Sequence, residues 1–194
     1  MNSKDQLRKH IRSLRRQLTP SQQQHASEGL VNQLRAHDVY QQSESIALYL
    51  ANDGEISVQP LAEYAWQQGK KLYLPVLNAN TGVSLIFKRW LPDSEFEPNR
   101  FRIPEPVTNE TIEAQALDLV CFPLVAFDTQ GGRLGMGGGF YDRTFSFTLE
   151  ESCATPILWG MAHECQEVEI VPKEDWDIPL SSIITDQRWY EVKN

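Results

Sequence analysis

Residues 117–143 read LDLVCFPLVAFDTQGGRLGMGGGFYDR, and this stretch decides the fold. Its opening, residues 117–125, is almost continuously apolar, the pattern of a central parallel strand buried on both faces. The apolar run over 117–127 is eleven residues long and holds Asp118 and Pro123, too short a span to cross a bilayer. Six glycines then fall within the nine positions 131–139, and a helix is expected from residue 140 to about 151. A strand that gives way to a glycine loop and then a helix start is where open α/β sheets bind ligands, beyond the carboxyl ends of their strands.

Working outward, residues 156–161 and 182–185 read as further strands. Upstream, SIALYLA at 45–51 is a β-like run closed by the polar turn Asn52-Asp53-Gly54-Glu55. Residues 57–68 read as a helix stopped by Gly69, and 72–77 as the next strand, so a right-handed β-α-β crossover is expected. Residues 83–90 follow a turn at 78–82 and predict a hairpin extension near 78–90. The stretch 92–110, with Pro92, Pro98, Pro104 and Pro106, reads as a long ordered loop. At the N-terminus Leu7, Ile11, Leu14 and Leu18 put an apolar stripe on a helix over 3–18 that Ser3 can cap, and Thr19-Pro20 opens a second helix to about residue 36. Neither a repeat nor a linker-like break occurs. The expectation is one domain, 1–194, of class α/β: a mostly parallel central sheet flanked by helices, a Rossmann-like three-layer α/β/α sandwich.

Five Trp, six Tyr and eight Phe supply core material that disordered chains lack. A net charge of −8 argues against general nucleic-acid binding, which needs a basic footprint. That total hides an asymmetry. Residues 1–18 hold Lys4, Arg8, Lys9, Arg12, Arg15 and Arg16 against Asp5 alone, a charge of +5, while the other 176 residues hold 12 cations and 25 acids. Cys121, Cys153 and Cys165 form no Cys-x-x-Cys pair, so neither a disulfide framework nor a structural zinc site is indicated, and Cys121 reads as a small buried hydrophobe. The charged N-terminus is followed by no apolar signal core, so no secretory signal is read and a cytoplasmic protein with no membrane partner is expected.

The glycine segment admits two readings. Its backbone N–H groups can face an anion with Arg133 as a bidentate clamp, or its glycines simply permit positive φ in a turn. It is not a P-loop, since no Gly-Lys-Ser/Thr occurs, and Gly135-x-Gly137-x-Gly139 after a late strand is not the dinucleotide fingerprint. Charge must then come from elsewhere. Lys4 and Arg8, four apart on one helical face, are candidates, with a solvated basic face as the alternative. Asp142 reads as a magnesium ligand beside phosphate or as a first-turn acid stabilised by the helix dipole. Asp177 reads as a capping aspartate or a ligand, Glu55 as solvated or functional, and His163 as structural.

The segment 127–143, FDTQGGRLGMGGGFYDR, resembles the signature of the 5-formyltetrahydrofolate cyclo-ligase (5,10-methenyltetrahydrofolate synthetase) family. The resemblance extends to Lys4-x-x-x-Arg8, the turn from Leu50 to Glu55, FRIPEP at 101–106 and Trp176-Asp177. It implies an ATP-dependent, magnesium-requiring ligase that cyclises 5-formyltetrahydrofolate to 5,10-methenyltetrahydrofolate with release of ADP and phosphate. By the same resemblance Lys4, Arg8, Arg133, Leu134, Gly135, Met136, Gly137, Gly138, Gly139, Phe140 and Tyr141 are implied at ATP, with Arg133 the catalytic charge. Leu50, Glu55, Met136, Gly137, Gly138, Gly139 and Phe140 are implied at the folate, and Asp142 and Asp177 at Mg2+. Tyr49, Trp90 and Phe101 are candidates for the pterin walls. The partners implied are small molecules, a reduced folate and ATP, for a chain expected to be monomeric. Some relatives carry basic residues where this chain has Met136 and Gly138, which leaves the loop's backbone, Arg133, magnesium or another cation (Lys88, Arg100, Arg102 or Arg143) to supply that charge.

Overall fold

A computed structural model describes residues 3–149 and 156–192 of the chain. Helices α1 (Lys4–Arg16) and α2 (Pro20–Leu34) start where the sequence predicts, each on a capping box. The Ser3 and Thr19 hydroxyls each accept the N–H three residues on, at 3.3 Å, while Gln6 and Gln22 accept the cap N–H at 3.0 and 2.8 Å. A short α3 (Asp38–Gln42), which the sequence reading does not anticipate, leads into strand β1 (Ser45–Ala47). Helix α4 (Gln59–Gln67) ends before Gly69, whose φ of +72° stops it, and β2 (Lys71–Leu77) follows.

Strand β3 (Leu85–Trp90) pairs antiparallel with β2, which gives the hairpin predicted near 78–90. The loop predicted at 92–110 contains a small ribbon of its own, β4 (Phe96–Pro98) against β5 (Pro104–Pro106), before β6 (Thr111–Ile112). Then come β7 (Leu119–Pro123), β8 (Ala126–Phe127), β9 (Arg133–Leu134), α5 (Phe140–Thr144), β10 (Ile157–Met161), β11 (Ser182–Ile184) and β12 (Trp189–Glu191). The helix expected over 140–151 is only five residues long, with a 3-10 turn at Ser146–Leu149 behind it; residue 151 and Cys153 lie outside the described residues.

The main sheet runs β12-β11-β10-β7-β1-β2-β3-β6. Its five inner strands, from β11 to β2, are parallel; β12, β3 and β6 are antiparallel additions at the two edges. Strand alternation sorts the core into two faces. Ile46, Leu72, Leu74, Leu119, Cys121, Trp159 and Met161 pack under α2, α3 and α4. Ala47, Tyr73, Val120, Phe122, Leu158 and Ile183 point the other way. That second face is covered by α5, 3-10 turns and irregular chain carrying Phe145, Ile178 and Leu180 rather than by long helices. Cys121 is buried and free, as expected of a small hydrophobe.

Chain order reverses between β1 and β7. From β1 the chain continues to β2 on one side, whereas β7 continues to β10 and β11 on the other. The segments leaving the carboxyl ends of β1 and β7 therefore part there and open a crevice, the topological switch point of an open α/β sheet. They are the turn ending in Glu55 and the glycine-rich segment. Helix α1 lies across the second of these, with Ile11, Leu7 and Leu14 packed on Val125, Ala126 and Leu134.

Candidate active site

The glycine-rich segment is two structures with different causes. Its first part is a tight hairpin in which buried Asp128 accepts from Gln130 N–H (2.9 Å), Gly132 N–H (2.8 Å) and Val171 N–H (2.8 Å). Gly131 and Gly132 serve that turn: a side chain on Gly132 would strike the Asp128 carboxylate. The second part, residues 135–139, is a loop whose first four residues are exposed. Gly137 needs its positive φ of +96°. Gly135 has no such need, because its φ is unexceptional and an added Cβ would meet nothing within 4 Å. A side chain there would project only into the space in front of the loop, so no neighbour within the chain demands a glycine.

Around this loop the N-terminal charge divides into two parties. Arg8 donates from Nε to the Gly135 carbonyl at 2.9 Å, pairs with Asp5 at 2.7 Å, and lies against Gly137. Lys4 Nζ is 3.1 Å from Glu174 and 4.0 Å from Asp177. Arg12, Arg15 and Arg16 turn instead to Asp53, in the turn after β1. The basic cluster is therefore no single phosphate-facing surface: about half of it fastens α1 to the sheet.

Arg133, expected as an open phosphate clamp, points inward. It is bonded to the Asp142 carboxylate and the Ile178 carbonyl, with its guanidinium carbon 5.6 Å from the Phe122 ring centre. Burial pulls its pKa down, and the charges of Asp142 and Asp177 oppose that. Asp142 also accepts from Ile178 N–H at 3.3 Å, and Asp177 caps its own turn by accepting Glu174 N–H at 2.9 Å. Both carboxylates thus act on one guanidinium. No group of three or more His, Cys, Asp or Glu that could hold a metal occurs among the described residues. Two hard carboxylates fit a Mg2+ that keeps waters and takes phosphate oxygens, and do not fit a closed protein cage. With α5 only five residues long, the helix dipole at this loop is small.

Across the crevice, Asp53 and Gly54 hold positive φ (54° and 76°) and turn Glu55 back so that its Oε2 accepts Asn52 N–H at 3.0 Å. Burial raises the Glu55 pKa, against the Asn52 N–H and the Arg15 charge, which lower it. The Tyr49 and Tyr141 phenols are pushed up by burial and then by the charge of Glu55. Leu50 is partly buried against the first core face. Two of the three proposed wall aromatics are corrected. Tyr49 is buried with its hydroxyl donating to the Ile56 carbonyl (2.8 Å), and Trp90 is buried against Trp66. Phe101 is exposed and meets Phe140 edge-on at 6.3 Å; Met136 is also exposed. Of the candidate compensating cations, Arg143 reaches the loop, donating to Gly138 O (2.5 Å) and Val83 O (2.7 Å), while Lys88 turns to Pro106 O and Arg100 to Gly82 O.

The sequence profile of the 5-formyltetrahydrofolate cyclo-ligase family matches residues 1–186. The chain belongs to this family. It is 41% identical over 183 residues to the 5-formyltetrahydrofolate cyclo-ligase of Escherichia coli K12, covering 93% of this chain and 99% of that one. Identity to the cyclo-ligase of Haemophilus influenzae is 44% over 184 residues, covering 93% and 96%. The solved 5,10-methenyltetrahydrofolate synthetase of Aquifex aeolicus superimposes with a TM-score of 0.83 at 29% identity, over 98% of this chain and 93% of that one. Among the cyclo-ligase site residues read from sequence, the fold gathers Lys4, Arg8, Arg133 to Asp142 and Asp177 on one side of the crevice and Glu55 on the other. The sequence does not indicate the contacts that Arg15, Asp53 and Glu174 make around this crevice. The available signal for Arg15 was its place four residues after Ile11, at the edge of the apolar stripe, in a chain whose first polar turn carries Asp53 and Glu55.

Proposed function

We propose that this chain is a 5-formyltetrahydrofolate cyclo-ligase, converting 5-formyltetrahydrofolate and ATP to 5,10-methenyltetrahydrofolate, ADP and phosphate. The observation that carries the reading, beyond family membership, is the meeting of α1 with the glycine loop at the switch point, Arg8 on Gly135, opposite the Glu55 turn. The formyl carbon is a poor electrophile because the N5 lone pair delocalises into its carbonyl. Attack of the formyl oxygen on the γ-phosphorus displaces ADP and makes that oxygen a leaving group. N10 of the same folate then adds to the activated carbon, a ring closure favoured by proximity. N10 then gives up its proton, and loss of phosphate carries the former formyl oxygen away and leaves the methenyl bridge.

The protein's part in such a reaction is positioning and charge neutralisation. In this reading Lys4, Arg8 and the loop from Leu134 to Tyr141 hold the nucleotide, and Arg133, turned inward onto Asp142, contributes its charge through that pairing. Leu50, Glu55 and the loop from Met136 to Phe140 hold the folate, Glu55 accepting pterin N–H groups. Asp142 and Asp177 hold Mg2+, which would neutralise phosphate charge when bound. Incubation of the purified protein with 5-formyltetrahydrofolate, Mg2+ and ATP, followed by methenyl absorbance and ADP release, tests the reading; no ATP-dependent product refutes it.

Three variants probe the nucleotide side. Gly135→Val leaves φ and packing unstrained, so its melting temperature is expected to match the parent while the KM for ATP rises roughly tenfold or more, as when one charge-assisted hydrogen bond is lost. An unchanged KM would place the nucleotide elsewhere. Asp142→Asn and Asp177→Asn are each expected to raise the Mg2+ concentration for half-maximal rate roughly tenfold or more. An unaltered magnesium titration removes that residue from the metal site.

A further inference from the structure

Arg15 is a fully buried cation whose partners belong to different parts of the crevice. Its Nε donates to the Asp53 carbonyl at 2.8 Å, its Nη1 to the Leu124 carbonyl at 3.1 Å and its Nη2 to the Asp53 carboxylate at 3.1 Å. The same Nη2 stands 3.6 Å from Glu55 Oε1. Asp53 and Glu55 lie in the turn after β1, and Leu124 immediately follows β7 on the way to the glycine loop. Arg15 itself sits on α1, seven residues beyond Arg8 and eleven beyond Lys4. One rigid guanidinium fork therefore touches the folate-side turn, the lead into the nucleotide loop and the helix that carries the nucleotide-side cations. Attachment of α1 alone would not need it. An apolar side chain here would extend the stripe of Leu7, Ile11 and Leu14 without burying a charge, a course that is often neutral or stabilising.

We propose that Arg15 is a positioning residue for the reaction, fixing the Glu55 carboxylate in place and in register with the glycine loop so that folate and nucleotide meet correctly. The inference rests on the functional reading above. The groups facing Glu55 are Arg15 and Arg12 from α1, Tyr141 from α5, and Tyr49 and Asp53 from its own turn. Burial already favours the protonated form of Glu55, and Arg15 is the largest charge opposing it. Without Arg15 the carboxylate stays protonated to higher pH, and a protonated carboxyl is a poorer acceptor for pterin donors.

The test follows 5-formyltetrahydrofolate binding by calorimetry from pH 5 to 9, with steady-state kinetics, in the full chain, Arg15→Met and Arg15→Lys. For Arg15→Met the acid limb of folate affinity is expected to rise by about one pH unit and the KM for folate by roughly tenfold, with ADP affinity changed by less than about threefold. Arg15→Lys keeps the charge and loses the fork, so its acid limb stays with the wild type while its folate KM rises several-fold. A folded Arg15→Met whose acid limb and folate KM coincide with the wild type overturns the proposal. If Arg15→Met does not fold, Arg15→Lys decides by its folate KM, and a wild-type value overturns it. Failure of both to fold assigns Arg15 to stability alone and overturns it equally. A wild type that neither binds the folate nor forms methenyl product refutes the functional reading and this inference with it, whereas wild-type turnover beside an unshifted Arg15→Met refutes only the inference.

Discussion

Asp53→Ala is expected to lower the unfolding free energy by about 3–5 kcal/mol, which for a chain of this size moves the melting temperature down by roughly 10 °C. The carboxylate is the shared partner of Arg12 at 2.6 Å, Arg15 at 3.1 Å and Arg16. Deleting it strips the buried Arg15 of its nearer carboxylate and leaves only Glu55 at 3.6 Å. It also puts alanine at a φ of 54°, a conformation that aspartate and asparagine tolerate better. Asp53→Asn keeps a side-chain acceptor and tolerates the same φ, so its loss should be clearly smaller. The pH dependence has a definite sign. Burial raises the Asp53 pKa, but hydrogen bonds from Arg12 and Arg16 and the charges of Arg12 and Arg15 more than offset this, leaving it below the ordinary carboxylate value. Its stabilisation is thus fully present above the unfolded-state pKa of about 3.9 and is lost as the pH falls through the lowered folded value. Thermal melts of the parent and Asp53→Ala should differ by a constant amount above about pH 5, and the difference should shrink below about pH 4 to the pH-independent backbone cost. Parallel curves throughout, or a difference under about 1 kcal/mol at neutral pH, would show that the three arginines do not depend on this carboxylate.

Arg133→Ala is expected to reduce kcat/KM for ATP by about 10²–10³, because it removes a fixed charge beside the nucleotide loop and leaves the Asp142 carboxylate without its partner. The reason lies in its setting. Arg133 is held by Asp142 and Ile178 within reach of both carboxylates assigned to the metal, so its charge is fixed in a desolvated place before the nucleotide arrives. Arg133→Lys restores charge without the planar fork and should recover less than about a tenth of the activity. Because Arg133 and Asp142 touch, their effects will not add. The double variant Arg133→Ala, Asp142→Asn should be less impaired than the product of the two single losses, and strict additivity would separate the two roles. ATP kinetics in Arg133→Ala equal to those of the parent would remove it from the site.

Much of the framework is written locally. Ser3, Thr19 and Gly69 announce their helix ends because caps are set by the residue and its near neighbours. The apolar run at 117–125 reads as a buried strand because both its faces must be covered. The turn at 52–55 and the glycine loop were legible as candidate site elements by position, since both follow strands of an α/β alternation. Less legible were α3, the ribbons β4–β5 and β8–β9, and the edge strand β12, all short elements with partners that periodicity over a few residues does not indicate. The helix expected to reach about residue 151 stops after Thr144 because Phe145 drops into the second core face beside Phe122 and Phe87.

The family to which the chain belongs was legible in the sequence alone, because six glycines ahead of Phe-Tyr-Asp-Arg is a local pattern. The +5 at the N-terminus was also visible there, but its use was not. Only the tertiary structure decided that Lys4 and Arg8 turn to the loop and its flanking acids while Arg12, Arg15 and Arg16 converge on Asp53. It decided likewise that Arg133 faces inward to Asp142 and that Tyr49 and Trp90 belong to the core. The physical reason is common to all of these. A charge or ring takes its role from the partner it meets, and those partners lie roughly 10 to 170 residues away in the chain, at distances that only the folded sheet makes short.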